Sequence, residues 1–183
     1  MNYLKSEIRK EILTKRNKFT NRNIADKIIF DKLISVCSVF QKICIYINYG
    51  SEVNTINFIN EMLTVGKEIF VPVCNIDECT MNISRIYSTE ELIENNYGIL
   101  EPLNLNSVNE KVDVVIFPGA AFDIDGNRIG YGKGYYDKYI SKLTYQPYKI
   151  GICYDFQLLD EIPSDTHDIK LDKIITEHRT VFV

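Results

Sequence analysis

The sequence has no excess of positive charge and no long uncharged hydrophobic run. Its 21 lysines and arginines stand against 25 aspartates and glutamates, which gives a net charge of −4. A chain with this balance has no broad basic surface, so no nucleic-acid partner is expected. The N-terminal segment MNYLKSEIRKEILTKR is charged throughout. Neither a signal peptide nor a membrane partner is therefore expected.

Cysteines are few, odd in number and irregularly spaced, which argues against a disulfide framework. Three of the five, Cys37, Cys44 and Cys153, lie in apolar runs, as small buried hydrophobes in a reducing compartment do. The cytoplasm is therefore the expected location. Cys74 and Cys79 are separated by four residues, and both histidines lie far downstream. That spacing is poor for a zinc site.

The chain does have the composition and the periodicity of one soluble α/β domain. Hydrophobic residues make up 45% and charged residues 25% of its 183 residues, so a single domain over residues 1–183 is expected. Apolar residues recur at helical spacing in two N-terminal segments, and short apolar runs rich in β-branched residues follow. The alternation of strands and helices predicts a mainly parallel sheet flanked by helices, a Rossmann-like three-layer α/β fold.

The segment RIGYGKGYYDKY at 128–139 is the most unusual stretch of the chain. Its glycines alternate with Tyr131 and Lys133, and it follows the strongest predicted strand, at 112–117. Ligands bind beyond the carboxyl ends of parallel strands, and glycines let backbone amides approach an anion closely. The loop therefore predicts phosphate binding, although it is neither a Walker A motif nor a dinucleotide fingerprint. A loop with purely structural glycines is the alternative.

Other polar and aromatic groups allow two interpretations each. Lys5, Arg9 and Arg16 share one face of the first predicted helix, which is either an ordinary solvated face or part of a site. Asp137, just after the loop, either holds Mg²⁺ against phosphates or complements the dipole of the following helix. The two tyrosines that end the loop either stack on a flat heterocycle or belong to the core. His167 lies beside an aspartate, but no catalytic triad can be assigned.

The segment FPGAAFDIDGNRIGYGKGYYDKYI resembles the signature block of the 5-formyltetrahydrofolate cyclo-ligase family, also called 5,10-methenyltetrahydrofolate synthetase. The family pattern is Pro-Gly-x-x-Phe-Asp, then Gly-x-Arg-hydrophobic-Gly-x-Gly-x-Gly-Tyr-Tyr-Asp. Three further landmarks occur in the family order. They are Lys5 with Arg9, Glu52 to Thr55, and His167 to Thr176. The resemblance thus spans nearly the whole chain, and its central block is highly specific.

The resemblance implies an ATP-dependent C–N ligase of one-carbon metabolism that requires Mg²⁺. It would convert 5-formyltetrahydrofolate, with or without a polyglutamate tail, to 5,10-methenyltetrahydrofolate and release ADP and phosphate. It would act as a cytoplasmic monomer. The formyl oxygen would be phosphorylated, and N10 would then close the ring. The residues that the resemblance assigns to ATP are Lys5, Arg9, Arg128, Ile129, Gly130, Tyr131, Gly132, Lys133, Gly134, Tyr135 and Tyr136.

The same resemblance assigns the remaining roles. Catalysis would rest on Lys133 and Arg128, and Mg²⁺ would be held by Asp137 and Asp168. The residues assigned to the folate are Ile47, Glu52, Tyr131, Gly132, Lys133, Gly134 and Tyr135. The chain departs from the family at positions 131 and 133, where tyrosine and lysine replace residues common in other members. It also has no tryptophan for the pterin wall, for which Tyr46 or Tyr49 is the candidate substitute.

Two other classes of function are compatible with these residues. A non-catalytic module of the same fold would bind nucleotide or folate without turnover. A small-molecule kinase would leave the phosphate on its product. Intact Glu52, Arg128, Lys133 and Asp137 favour the ligase over the binding module.

Overall fold

The structure is a computed structural model that describes residues 2–95, 98–103 and 110–183. Its regular elements, in chain order, are α1 (Asn2–Lys18), α2 (Arg22–Cys37), β1 (Lys42–Ile45), α3 (Ile56–Thr64), β2 (Glu68–Asn75), β3 (Thr80–Ile86), a 3₁₀ turn (Thr89–Glu91), β4 (Leu92–Glu94), β5 (Leu100–Pro102), β6 (Val114–Phe117), β7 (Ala121–Asp123), β8 (Arg128–Ile129), α4 (Tyr135–Ser141), β9 (Tyr148–Ile152), a second 3₁₀ turn (Asp155–Gln157), β10 (Leu158–Leu159), β11 (Lys173–Ile175) and β12 (Thr180–Phe182).

The main sheet of the described residues has seven strands in the order β12-β11-β9-β6-β1-β2-β3. The five inner strands are parallel to their neighbours, whereas β12 and β3 pair antiparallel at the two edges. The mainly parallel α/β sheet expected from the sequence is therefore confirmed. Parallel strands need long connections, which the helices provide.

Both faces of the sheet are covered because its strands are apolar on both sides. In β1, Ile43 and Ile45 point to the face that α2 and α3 cover, where Phe58 of α3 is buried. Between them, Cys44 points to the opposite face, which packs against Ile140 of α4. Cys37 and Cys153 are also buried free thiols, as their apolar surroundings predict.

Helix α1 packs away from the main sheet, on a small sheet with the strand order β10-β7-β8. Ile12 of α1 is buried there with Ala121 and Ile129. Asp123 is fully buried at the end of β7. It accepts hydrogen bonds from the Asn127 amide at 2.9 Å and the Asn127 side chain at 2.8 Å. This packing fixes α1 beside the loop that leaves β8.

The connections that follow the neighbouring strands β1 and β6 cross to opposite faces of the sheet. The connection from β1 to β2 contains α3, on one face of the sheet, and the connection from β6 to β9 contains α4, on the other. Because these neighbouring strands send their crossovers to opposite faces, a crevice forms beyond their carboxyl ends, where α/β proteins bind ligands. No helix in the described part of the chain is long and apolar enough to cross a membrane.

Candidate active site

A cavity of about 650 Å³ lies at this crevice, between the loops that follow β1 and β6 and the loop from β8 to α4. Its wall contains every residue that the sequence analysis assigned to a site. These are Lys5, Arg9, Ile47, Glu52, Arg128, Ile129, Gly130, Tyr131, Gly132, Lys133, Gly134, Tyr135, Tyr136, Asp137 and Asp168. The fold therefore brings together residues that lie more than 160 positions apart in the sequence.

Each glycine of the loop has a backbone requirement of its own. A Cβ at Gly130 would lie 2.6 Å from Nη1 of Arg128, so a side chain there would displace the Arg128 guanidinium. Gly132 and Gly134 have φ angles of +98° and +65°, which side chains with a Cβ rarely adopt. The structural interpretation thus accounts for all three glycines without a ligand. Support for phosphate binding has to come from the charges around the loop.

Arg128 lies beneath the loop, and only 6% of its side chain is exposed. Nη1 donates to the carbonyl oxygen of Pro118 at 3.2 Å, and Nη2 donates to Oδ2 of Asp137 at 3.1 Å. The other oxygen of Asp137 accepts a hydrogen bond from the Ile169 amide at 3.2 Å. Arg128 therefore ties the loop both to the end of β6 and to the first turn of α4.

Two further cations lie at the loop, Arg9 from α1 and Lys133 within the loop itself. Nε of Arg9 donates to the carbonyl oxygen of Gly130 at 2.8 Å, and its guanidinium lies 3.9 Å from the Cβ position of Gly132. The Lys133 side chain is exposed, and within the described residues it forms no ion pair or side-chain hydrogen bond. One cation is thus fixed by the loop, whereas the other is available to an incoming anion.

Lys5 is paired with two carboxylates on the same wall. Its Nζ lies 2.7 Å from Oδ2 of Asp165 and 2.6 Å from Oδ2 of Asp168. Burial lowers the pKa of Lys5, but the hydrogen bonds to the two aspartates outweigh it, and the net pKa is raised. The hydrogen bond from Lys5 lowers the pKa of Asp165. Lys5, which is predicted to bind phosphate, is therefore paired with Asp168, which is predicted to bind magnesium.

Glu52 lies at the other end of the pocket, and protein donors reach both of its oxygens. The Tyr131 hydroxyl donates to Oε1, and the Tyr49 amide donates to Oε2 at 2.9 Å. Burial raises the pKa of Glu52, against the effect of these two hydrogen bonds and of the Arg16 charge. A carboxylate has about four lone-pair sites, so this group can accept further donors from a ligand.

The wall near Glu52 is mainly aromatic and apolar. Tyr46, which is 5% exposed, and Tyr49 both line it, together with Ile47. Tyr136 packs on Phe117 with ring centroids 5.0 Å apart, so the core interpretation holds for this tyrosine. A flat heterocycle could rest on such a wall, because aromatic faces favour stacked or edge contacts.

The sequence analysis did not assign several residues that line the same pocket. Arg16, Pro72, Cys74, Asn95, Glu101, Asp165 and His167 are among them. The sequence did contain a signal for Arg16 as a pocket residue, because it follows Arg9 by seven residues and so lies on the same face of the helix. Over residues 2–95, 98–103 and 110–183, no group of three or more His, Cys, Asp or Glu side chains could hold a metal ion.

Comparisons with known proteins give one consistent result. A family model described as the 5-formyltetrahydrofolate cyclo-ligase family matches residues 2–177. The chain is 31% identical to the 5-formyltetrahydrofolate cyclo-ligase of Mus musculus, over 75% of this chain and 73% of that protein.

Solved structures with similar folds carry the related name. The NMR structure of Aquifex aeolicus 5,10-methenyltetrahydrofolate synthetase matches with a TM-score of 0.84 and 32% identity, over 98% of this chain and 92% of that one. A 5,10-methenyltetrahydrofolate synthetase from Mycoplasma pneumoniae matches with a TM-score of 0.75 and 28% identity, over 94% and 98%.

Proposed function

The chain belongs to the 5-formyltetrahydrofolate cyclo-ligase family and cyclises 5-formyltetrahydrofolate to 5,10-methenyltetrahydrofolate, and we propose that it uses ATP and Mg²⁺ in the pocket described above. One observation carries this proposal. A single cavity joins a cationic end, formed by residues of α1 and the glycine loop, to a largely apolar end that contains Glu52. The first end suits a triphosphate and the second suits a pterin ring.

The chemistry requires an activated oxygen. The γ-phosphoryl group moves from ATP to the formyl oxygen, so that one P–O bond forms, another breaks and ADP leaves. N10 then attacks the activated carbon, forms a C–N bond and loses its proton, and the C–O bond breaks to release phosphate. Because the protein forms no covalent bond, its contribution is alignment of the reactants and stabilisation of the developing charge.

At the nucleotide end, Lys133 acts on the phosphoryl group in transfer. Its exposed ammonium has no partner among the described side chains, so it can follow the charge that develops. Arg9 and the amides of the loop hold the remaining phosphates. Arg128 lies beneath the loop and positions it, because its guanidinium donates hydrogen bonds to Pro118 and Asp137. Lys5 would also contact the phosphates, since Asp168, one of its two carboxylate partners, would hold the metal ion.

At the folate end, Glu52 accepts hydrogen bonds from the donor-rich edge of the pterin ring. Ile47, Tyr131 and Tyr135 contact the same substrate. Tyr46 or Tyr49, which both line the pocket, would take the place of the missing tryptophan on the pterin wall. With the pterin ring at this end, the formyl group would point towards the glycine loop.

The donor set at the cationic end fits Mg²⁺, which needs only one or two protein carboxylates when phosphate oxygens complete its shell. Asp137 and Asp168 would hold the ion. Oδ1 of Asp168 has no hydrogen-bond partner within the described ranges, so it is available as a ligand. When bound, the ion neutralises phosphate charge and orients the phosphates.

Asp168→Asn is expected to raise the Mg²⁺ concentration for half-maximal nucleotide binding by about tenfold, because one anionic ligand is lost. The measurement is a Mg²⁺ titration of ATP binding by calorimetry. Asp160→Asn is the matched control, since Asp160 is exposed and lies outside the pocket. An unchanged Mg²⁺ requirement with weaker ATP binding would mean that Asp168 acts on Lys5 and not on the metal.

Turnover is the direct test of the proposed function. Purified protein, 5-formyltetrahydrofolate and Mg²⁺-ATP should develop the absorbance of the methenyl product, with ADP and free phosphate formed in equal amounts. Binding of both ligands without product would favour the non-catalytic module. A phosphorylated product without free phosphate would favour a small-molecule kinase.

We also propose that residues 1–183 form one domain that acts as a monomer in the cytoplasm. Buried free thiols fit a reducing compartment. Light scattering after gel filtration tests the first statement, and cell fractionation tests the second.

A further inference from the structure

Arg16 is a buried arginine to which the proposed function gives no role. It lies on α1, is 6% exposed and lines the pocket. Nε donates to the Ser51 hydroxyl at 3.0 Å, and Nη1 donates to the Tyr131 hydroxyl at 2.8 Å. Nη1 also lies 3.4 Å from the carbonyl oxygen of Gly119. One guanidinium thus contacts the loop after β1, the end of β6 and the glycine loop.

A buried guanidinium is costly unless its charge is compensated. In the part of the chain that the structure describes, Arg16 has no direct salt bridge. The acidic group it reaches is Glu52, through the hydroxyl of Tyr131. Arg16 can only donate, so the Tyr131 oxygen accepts from it and directs its own proton to Oε1 of Glu52. The two hydrogen bonds therefore run in one direction, from Arg16 to Tyr131 and from Tyr131 to the Glu52 carboxylate, and we call them the relay.

Arg16 also fixes the backbone on which Glu52 is carried. Its partner Ser51 immediately precedes Glu52, is 7% exposed and donates to Oδ1 of Asn17 at 2.6 Å. Two residues of α1 therefore hold Ser51. The guanidinium acts on Glu52 twice, at the chain just before it and at its carboxylate through Tyr131.

We propose that Arg16 is a positioning residue for the folate end of the pocket, which holds the Glu52 carboxylate, through Tyr131 and Ser51, in the orientation and ionised form that accept the donor groups of a pterin ring. This inference rests on the proposed function, because it assumes that Glu52 contacts the folate. The new element is the set of residues that orient Glu52 for this contact, namely Arg16, Ser51 and Tyr131. Lys5 and Arg9, on the same helix face, belong to the opposite end of the pocket.

The ionised state of Glu52 depends on few neighbours. The titratable groups that face it are Arg16 from α1, Tyr131 from the glycine loop, Tyr46 directly after β1 and Tyr136 from α4. Arg16 is the one cation among them, as far as the described residues show. Burial raises the pKa of Glu52 while the Arg16 charge lowers it, so loss of that charge raises the pKa further.

The test is a double-mutant cycle of Arg16→Met and Tyr131→Phe. Arg16→Met should raise the KM for 5-formyltetrahydrofolate by about tenfold, the effect of one charged hydrogen bond. It should change the KM for ATP by less than about twofold, since the phosphate end is untouched. If Arg16 acts through Tyr131, the double variant should be little worse than Arg16→Met alone. Additive effects would overturn the relay.

A pH profile separates positioning from general support of the fold. In Arg16→Met, the acidic fall in kcat/KM for the folate should move to higher pH, because Glu52 loses its cation. Arg16→Lys keeps the charge and should keep the profile, even where its KM rises. A profile that is identical in all three proteins would overturn the proposal. Lys15→Met is the control on the same helix, because Lys15 is exposed and outside the pocket.

Calorimetry keeps the inference testable if the wild-type protein gives no product. That result would contradict the proposed function, whereas folate binding by the wild type and by Arg16→Met can still be compared. Weaker binding by the variant, with ATP binding retained, supports the positioning role. Equal folate binding by the two proteins overturns it. If Arg16→Met does not fold, Arg16→Lys and Tyr131→Phe provide the same comparison.

Discussion

Replacing Lys133 with alanine is expected to lower kcat/KM for ATP by about 100-fold, the usual cost of removing one group that stabilises developing charge. The melting temperature should not change. Lys133 is exposed and has no ion pair among the described residues, and such surface changes alter the free energy of unfolding by less than about 0.5 kcal/mol. Activity and stability should therefore separate completely at this position.

Lys142→Ala is the matched control. Lys142 is also exposed, follows α4 directly and lies outside the pocket, so its loss changes the net charge equally. Steady-state kinetics with varied ATP and a thermal melt of each variant complete the experiment. Equal loss of activity in both variants would mean that the effect is general electrostatic attraction of the nucleotide. A large fall in the melting temperature of Lys133→Ala would show a structural role instead.

The sheet could be predicted because its signal is local. β1 and β6 are short runs of buried β-branched and other apolar residues, and burial on both faces requires that pattern. The glycine loop was also visible, since its spacing is unusual. The reason for each glycine was not visible. Gly130 leaves room for the Arg128 guanidinium, whereas Gly132 and Gly134 have positive φ angles. A sequence pattern shows that glycine is present, but not which atom requires it.

The pairings of the pocket could not be predicted because they depend on tertiary contacts. Helical spacing placed Lys5, Arg9 and Arg16 on one face of α1, but it did not show what that face meets. In the fold, Lys5 meets Asp165 and Asp168, which lie 160 and 163 positions away. The family motifs identified residues that line one pocket, whereas the ion pairs and hydrogen bonds among these residues required the structure.

Two charged centres divide the pocket into ends with different properties. At the proposed nucleotide end, Lys5 forms ion pairs with both Asp165 and Asp168. At the proposed folate end, burial raises the pKa of Glu52 and the Arg16 charge opposes this rise, while the Tyr131 hydroxyl links the two groups. Substitutions at one end should therefore change the KM of one substrate much more than the other, as for distant and independent sites.

Glu52→Gln should show this separation most clearly, with a fall of about 100-fold in kcat/KM for 5-formyltetrahydrofolate. The carboxylate only accepts hydrogen bonds, whereas the amide would present its NH₂ group either to the pterin donors or to Tyr131. The KM for ATP should change little. Glu161→Gln is the control, since Glu161 is exposed and outside the pocket. An equal rise in both KM values would contradict the assignment of Glu52 to the folate.

The same variant should be at least as stable as the wild type at neutral pH. Burial raises the pKa of Glu52 above its ordinary value of 4.5, so its charged form costs the folded state free energy. A group whose pKa is higher in the folded than in the unfolded protein stabilises the fold fully at a pH below its unfolded-state pKa. This stabilisation is lost as the pH rises through its folded-state pKa. Glutamine has no such loss because it is neutral throughout, although its amide has one acceptor oxygen for the two donors, Tyr49 and Tyr131. The melting temperature of Glu52→Gln relative to the wild type should therefore increase from pH 4 to pH 8, and a decrease over that range would show that Glu52 stabilises the fold as an anion.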